Sequence, residues 1–289
     1  MEAYRVRWEA FRRSAYEFRK ARLSVVGLAV ILLLIFTALF GRHVVPYPED
    51  SRGSIHIEER LLPPSRQHPF GTDQVGRDIF SRVVMATGLA LQTPLIVLAV
   101  SGSIGLTLGA IAGFVGGFVE ELVMRLTDIF LTVPDLVLAI AIAGVLGPGI
   151  RNALLALSLV WWPGYCRLMR GQVLTIREEE YVAAARSMGA SDGWIILRHI
   201  LPNCSTEVLV KMSMDVGFVL LAAAGLGFIG LGAQPPVPEW GALVSEARRF
   251  FPTWWWYSIF PGAAIFVSVL AFNFFGDGIA TLAGAREAR

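Results

Sequence analysis

Of the 289 residues, 55% are hydrophobic and only 17% charged, against ~45–50% apolar and ~25% charged in an ordinary soluble domain. That balance does not fit a water-soluble fold, and a formal net charge of +2 provides no basic stripe for nucleic acid. Apolar runs able to cross ~30 Å of hydrocarbon, ~20 residues as a helix, recur along the chain. The expectation is a multi-pass, all-α integral membrane protein whose basic residues face the lipid surface.

Residues 1–22 carry Arg5, Arg7, Arg12, Arg13, Arg19, Lys20 and Arg22 just before the apolar run Leu23–Phe40. The positive-inside rule therefore predicts a cytoplasmic N-terminus. No small-residue cleavage site follows, so the first span, 23–42, is read as retained. Residues 43–82 are polar and hold Pro46, Pro48, Pro63 and Pro64, as an extracytoplasmic loop would. A five-helix core, 83–282, then contains a second span mostly within 88–116 and further spans near 126–147, 151–169, 206–231 and 258–280. Six spans return the tail, 283–289, to the cytoplasm and place the polar segment 171–203 inside, with Arg177, Arg186 and Arg198. Asp128, Asp135, Lys211 and Asp215 are assigned to span ends.

Gly105, Gly109, Gly113 and Gly117 recur every fourth residue. One face of the second span is thus free of side chains, and a neighbouring helix can approach closely along it. Gly225, Gly227 and Gly230 match a dinucleotide fingerprint by letter, but they end an apolar segment instead of opening a soluble βαβ unit. With Gly232 they are read as a flexible or unwound end of the fifth span and a possible gate. Trp254, Trp255 and Trp256 suit an aromatic belt at the headgroup level. His43, His56 and His68 are too widely spaced for a metal site. Cys166 and Cys204 flank a cytoplasmic segment, where neither a disulfide nor a zinc site is expected.

The most informative stretch is 177–203. Helix formers from Glu178 to Met188 precede Gly189, which can supply a left-handed C-terminal cap; Ser191 or Asp192 can then cap a second helix that Pro202 stops. Trp194, Ile195, Ile196 and Leu197 make that second helix apolar, so it needs a partner surface, either the chain's own membrane helices or another subunit.

This stretch resembles the cytoplasmic loop of membrane subunits in binding-protein-dependent ATP-binding-cassette importers, with the pattern E-A-A, three residues, Gly, nine residues, I-x-L-P. Ala184, Ala185, Gly189, Leu201 and Pro202 match, whereas Ala183 stands for the usual Glu and His199 for the usual Ile. Glu180 supplies a nearby carboxylate. The segments His68–Asp78, Leu146–Gly149, Trp162–Tyr165, Phe228–Gly232, Glu239–Gly241 and Ala271–Gly278 are similar to the dipeptide, oligopeptide and nickel permeases, specifically their second subunit type. Many peptide-transporting relatives carry an acidic residue near Ala223, where this chain has Ala222, Ala223 and Ala224.

The resemblance implies a type I importer transmembrane domain in the inner membrane. It would pair with a homologous permease subunit, bind two ATPase subunits through Glu180, Ala184, Ala185, Gly189, Asp192, Trp194, Leu197, Leu201 and Pro202, and receive solute from an extracytoplasmic binding protein. ATP and Mg would be bound by the ATPase subunits, since no G-x-x-x-x-G-K-[ST] occurs here; no cofactor, metal or catalytic residue is assigned to this chain. The cargo is open between peptides, nickel complexes, glutathione and other solutes. An ion-coupled secondary transporter, the rival reading, would show discontinuous helices with ionisable groups near the midplane. A membrane enzyme would need a nucleophile and base or a metal cluster.

Overall fold

The computed structural model describes residues 21–287, with side chains through Leu282. The basic segment up to residue 20 and the last two residues lie outside the described residues. Ten helices are labelled here in chain order: α1 Arg22–Val44, α2 Ile79–Val115, α3 Gly117–Leu131, α4 Asp135–Leu146, α5 Ile150–Ile176, α6 Glu180–Ser187, α7 Asp192–Ile195, α8 Ser205–Phe228, α9 Trp240–Ala247 and α10 Trp255–Glu287. Among the described residues the only extended pairing is an isolated bridge between Thr72 and Asp78.

Four of these helices, α1, α2, α8 and α10, are long and apolar enough to span a membrane, and α3 with α4 would make a fifth. At 27 residues, or ~40 Å, α5 also has the length, but it carries Arg151, Arg167 and Arg170. Arg167 and Arg170 are paired with Asp128 and Glu120 of α3, and Arg151 is exposed in the first turn of the helix. The third span differs from the expected continuous helix 126–147: α3 and α4 meet at 89° across a short break. Pro134, with no amide to donate, disfavours helix in Val133 before it and starts α4 afresh. At the other boundary α2 begins at Ile79, so 79–82 are helix and the preceding loop is 45–78.

α2 packs most extensively on α5, and α10 lies between α8 and α1. Along the α2–α5 seam a Cβ on Gly105 would lie 2.6 Å from that of Tyr165, on Gly109 2.9 Å from that of Met169, and on Gly113 2.9 Å from that of Val173. Only glycine lets these backbones approach so closely. Gly117 is not in this seam: its Cβ would meet nothing within 4 Å, and its φ of +57° turns the chain into α3. Two ties hold α3 along α5, Arg170 Nε to Glu120 at 2.7 Å and Arg167 to Asp128 at 2.6 Å.

The buried core falls into three levels. The central one joins Val97, Ala139, Leu157, Val219 and Leu226 from α2, α4, α5 and α8. At the 45–78 end, Ile79, Trp240, Leu243 and Tyr257 pack together with Trp256. Trp254 lies in the turn before α10 and is half-buried, and neighbouring helical residues point in different directions, so Trp255 is exposed while Trp256 sits against Gly71. A buried polar network lies at the same end. Asp73 holds Arg77 at 2.6 Å and Arg82 at 2.7 Å, and Arg82 reaches Glu246 at 2.9 Å. Asp78 caps α2 by accepting from the Ser81 amide at 2.7 Å and also contacts His68 at 3.1 Å. His56 sits on Asp50 at 3.1 Å, so both histidines of the 45–78 loop serve its fold, whereas His43 lies in the last turn of α1.

The seam makes a sharp contrast between two glycines of one helix. Gly109→Val should lower stability by about 1–3 kcal/mol through overpacking, whereas Gly88→Val, with nothing within 4 Å of its Cβ, should be close to neutral. Thermal midpoints in detergent, read by tryptophan fluorescence, compare them. Equal midpoints would show that the α2–α5 contact does not limit stability.

Candidate functional site

The 177–204 end carries the third core level, in which Phe114, Met169, Val173, Val182, Ala185, Ile195 and Ile200 are buried together. α6 ends at Ser187, Gly189 adopts φ +84°, and Ser191 caps α7 by accepting from the Trp194 amide at 3.4 Å. Pro202 does not stop the second helix. It cannot donate to the Arg198 carbonyl, so the preceding turn widens to a π turn over Ile196–Ile200 in which Leu201 N–H reaches the Ile196 carbonyl. A helical turn, Leu201–Asn203, then leads into α8.

The apolar side chains of this loop divide between two surfaces. Ile195 and Ile200 are fully buried against the chain's own α2 and α5. Met188, Trp194 and Leu197 point away and are 82%, 49% and 69% exposed. A shallow surface pocket around Gly189 is lined by Ala185, Met188, Ala190, Ser191 and Trp194. Ala184, Glu180, Asp192 and Pro202 are exposed beside it, and Leu201 is half-buried. The loop is held to the bundle by Arg177, which donates to the Gly113 carbonyl at 2.8 Å, and by Arg186 lying over the Phe114 ring. A displacement of this loop therefore acts directly on the end of the α2–α5 seam.

The glycine-rich end of α8 is ordered. α8 runs through Gly225 and Gly227, then closes with Gly230 at φ +86°, the Gly230 amide on the Gly227 carbonyl at 3.0 Å and the Leu231 amide on Leu226 at 2.9 Å. This is a Schellman cap. Gly227 and Gly232 serve a second purpose. A Cβ on Gly227 would collide with the Glu239 carboxylate, and one on Gly232 would lie 2.8 Å from its Oε2.

Glu239 was not singled out as a site residue by sequence reasoning, because a lone acid between Pro238 and Trp240 reads as an ordinary loop residue. Its Oε1 accepts from the Gly241 amide at 3.1 Å, capping α9, while the buried Oε2 has no partner among the described residues. It borders a small cavity with Thr93, Ala223, Ala224, Gly232 and Trp240. The alanine run thus has a carboxylate beside it, supplied from the α8–α9 connection. Burial pushes the Glu239 carboxyl up to about 7, against the opposing pull of the Gly241 and Ala242 amides.

Asp128 lies near the end of α3, but Asp135, Lys211 and Asp215 do not mark span ends. Asp215 sits near the midpoint of α8 and bonds to Tyr165, near the midpoint of α5. The hydropathy of the flanking residues hid this, since charges that meet only across helices look like a boundary in one dimension. A broken helix beside mid-height ionisable groups is the arrangement expected of a secondary transporter, so this geometry alone does not separate the two transporter classes. Family membership does. No group of three His, Cys, Asp or Glu side chains among the described residues is arranged to hold a metal ion.

These features define a polytopic helical membrane domain with a docking-type surface at one end. The chain belongs to the family of binding-protein-dependent transport system inner membrane components, whose model matches residues 105–289. Residues 8–64 match the N-terminal TM domain of oligopeptide transport permease C. The chain is 45% identical to the probable D,D-dipeptide transport system permease protein DdpC of Escherichia coli (strain K12), over 90% of this chain and 86% of that one. It is 42% identical to the dipeptide transport system permease protein DppC of Alkalihalophilus pseudofirmus, over 93% and 88%. Identity to the glutathione transport system permease protein GsiD of Pectobacterium atrosepticum is 38%, over 96% and 91%. An inward-facing MetNI methionine ABC transporter structure aligns with TM-score 0.54 over 70% of this chain and 96% of that one, at 16% identity, a likeness of fold. The chain is thus a permease subunit of an ATP-binding-cassette importer, of the second type in the dipeptide and oligopeptide family.

Glu239 gives a pH signature. Its carboxyl is raised from 4.5 when unfolded to about 7 when folded, so the stability that it contributes is full below about pH 4.5 and lost as pH rises through about 7. Glu239→Gln stays neutral throughout. The variant and wild type should melt alike near pH 4, and the variant should be more stable near pH 8.5 by at most about 3 kcal/mol. A pH-independent difference would place the carboxylate in an ordinary solvated setting.

Proposed function

We propose that this subunit and a homologous permease subunit together form the translocation pathway of an importer for small peptides. Two separate ATPase subunits, which bind ATP and Mg, would drive it, and an extracytoplasmic solute-binding protein would deliver the cargo. The carrying observation is the divided coupling loop: one apolar face is buried on α2 and α5, and the other, Met188, Trp194 and Leu197 around left-handed Gly189, is uncovered. Exposed apolar groups of that size, clustered on a polar loop, mark a protein contact. In this reading both termini and 177–204 face the cytoplasm, and 45–78 and α9 face outward. The peptide assignment follows the names of the relatives, of which two are dipeptide systems and one a glutathione system. Chemistry belongs to the ATPases, and this chain transmits motion.

Two measurements test this. A cysteine placed at Asp192 should resist an impermeant thiol reagent added to intact cells and react once the membrane is opened; ready labelling from outside would reverse the topology. Gly189→Val forces a β-branched residue into φ +84°, a local cost of roughly 1–2 kcal/mol that re-aims α7. Nothing lies within 4 Å of a Cβ there, so insertion should be unchanged while solute-stimulated ATP hydrolysis and uptake by the reconstituted complex fall at least about tenfold, the equivalent of ~1.4 kcal/mol. Wild-type rates at matched subunit levels would remove this loop from coupling.

A further inference from the structure

At mid-height α5, α8 and the start of α4 enclose a cavity of about 360 Å³, open to one side. That size accommodates a small solute. Three charged side chains line it. Lys211 Nζ lies 3.0 Å from Asp215 Oδ2 and 3.3 Å from Oδ1, and Tyr165 donates to Oδ2 at 2.7 Å, so Asp215 is held from two helices. The Lys211 ammonium also stands over the Tyr165 ring, 5.3 Å from its centroid, and its stem passes Gly164, where a Cβ would lie 3.5 Å from Lys211 Cε. Asp135, the first residue of α4 after the 89° break, shares the cavity and interacts electrostatically with both. Its carboxylate makes no hydrogen bond or ion pair among the described residues. Trp161 and Phe218 supply apolar walls.

Ionisable groups at the middle of a membrane are costly against lipid and persist where they face water or an opposite charge. Asp215 and Lys211 compensate each other, which leaves the cavity one carboxylate in excess at Asp135. Both lysine–aspartate contacts go to the same carboxylate, so the three-donor ammonium can still serve another anion. The cavity therefore presents both an acceptor for a cation and a donor for an anion.

We propose that Asp135 and Lys211 form a mid-membrane site for a zwitterionic solute, with its ammonium on Asp135 and its carboxylate on Lys211, and that Tyr165 and Asp215 act as positioning residues for the lysine. This rests on the permease reading and deepens it. The excess negative charge is drawn from α4, and Ala222 at the start of the alanine run lines the same cavity. A pathway site must release what it binds, so the affinity is weak, in the millimolar range.

The test uses the full complex, assembled with its partner permease and ATPase subunits in lipid nanodiscs. Phe218→Cys places a reporter thiol on the cavity wall, and its reaction with a cationic, membrane-impermeant methanethiosulfonate is followed. Alanyl-alanine at about 10 mM should slow labelling at least about threefold, as expected of a millimolar site. N-acetyl-alanyl-alanine and alanyl-alanine amide should each protect much less. Adding Asp135→Asn should make the free and acetylated peptides equivalent, and adding Lys211→Met should make the acid and the amide equivalent. A merely structural role would weaken protection by all three alike. An unreactive thiol, equal protection by the capped peptides, or unchanged selectivity in the variants would overturn the site, as would loss of the partner permease from both variants, which would assign these charges to the subunit contact. If the wild-type complex shows no solute-stimulated ATP hydrolysis with alanyl-alanine, the peptide-importer reading fails and the site falls with it. Normal stimulation with an unprotected thiol refutes the site alone.

Discussion

The close approach of α2 to α5 is the constraint on which the other features depend. Gly105 faces Tyr165, whose hydroxyl fixes Asp215. Gly109 faces Met169, a member of the core level beneath the coupling loop. The carbonyl of Gly113 receives Arg177 at the point where that loop begins. Without the glycine register the two backbones would stand farther apart, and each of these contacts would lose its partner. One packing decision thus sets both the geometry of the mid-height charges and the anchorage of the docking surface. Membrane helices lack a hydrophobic drive to associate with one another, so shape along such a seam carries more of the association than it would in water.

The two ends of the bundle use different physics for different purposes. The 45–78 end is fixed by buried ion pairs, with Asp73, Arg77, Arg82 and Glu246 tying the loop, α2 and α9 together. Removing one member would strand a buried charge, so this end resists piecemeal rearrangement. The 177–204 end is held by apolar contacts, by Arg177 on a carbonyl and by Arg186 over the Phe114 ring, and Met188, Trp194 and Leu197 remain exposed on its outer side. Rigid at one end and open to a partner at the other, the subunit can carry a push on α6 and α7 along α5 towards the middle of the membrane.

Between these ends lies polar chemistry that a simple conduit does not require. Glu239 is inserted where Gly227 and Gly232 leave room, and its buried oxygen borders the alanine run. Asp135 sits at the break that Pro134 imposes on the third span. Both carboxylates are placed by backbone irregularities, a capped helix end in one case and a helix break in the other. Regular helices could not bring them there, because neither residue projects from a continuous membrane span.

The sequence by itself determined the class of architecture. Apolar run length requires membrane helices, the four-residue glycine period marks a packing face, and the helix formers, Gly189 and Ser191 specify two short helices with a left-handed joint. These are local properties, decided by composition and by φ at single residues. Only the tertiary structure decided which apolar side chains of the coupling loop are covered, since Ile195 and Leu197 are chemically alike and differ in what lies opposite. It excluded Gly117 from the seam, drew Trp256 into the core and showed Pro202 widening a turn instead of ending a helix. Pro134 was visible in the chain, but the bend that it produces depends on α3 being pinned to α5 by Glu120 and Asp128. The charges at 135, 211 and 215 looked like span boundaries because charge neutralisation is a relation between helices, and a linear reading assigns the whole desolvation cost to each residue alone.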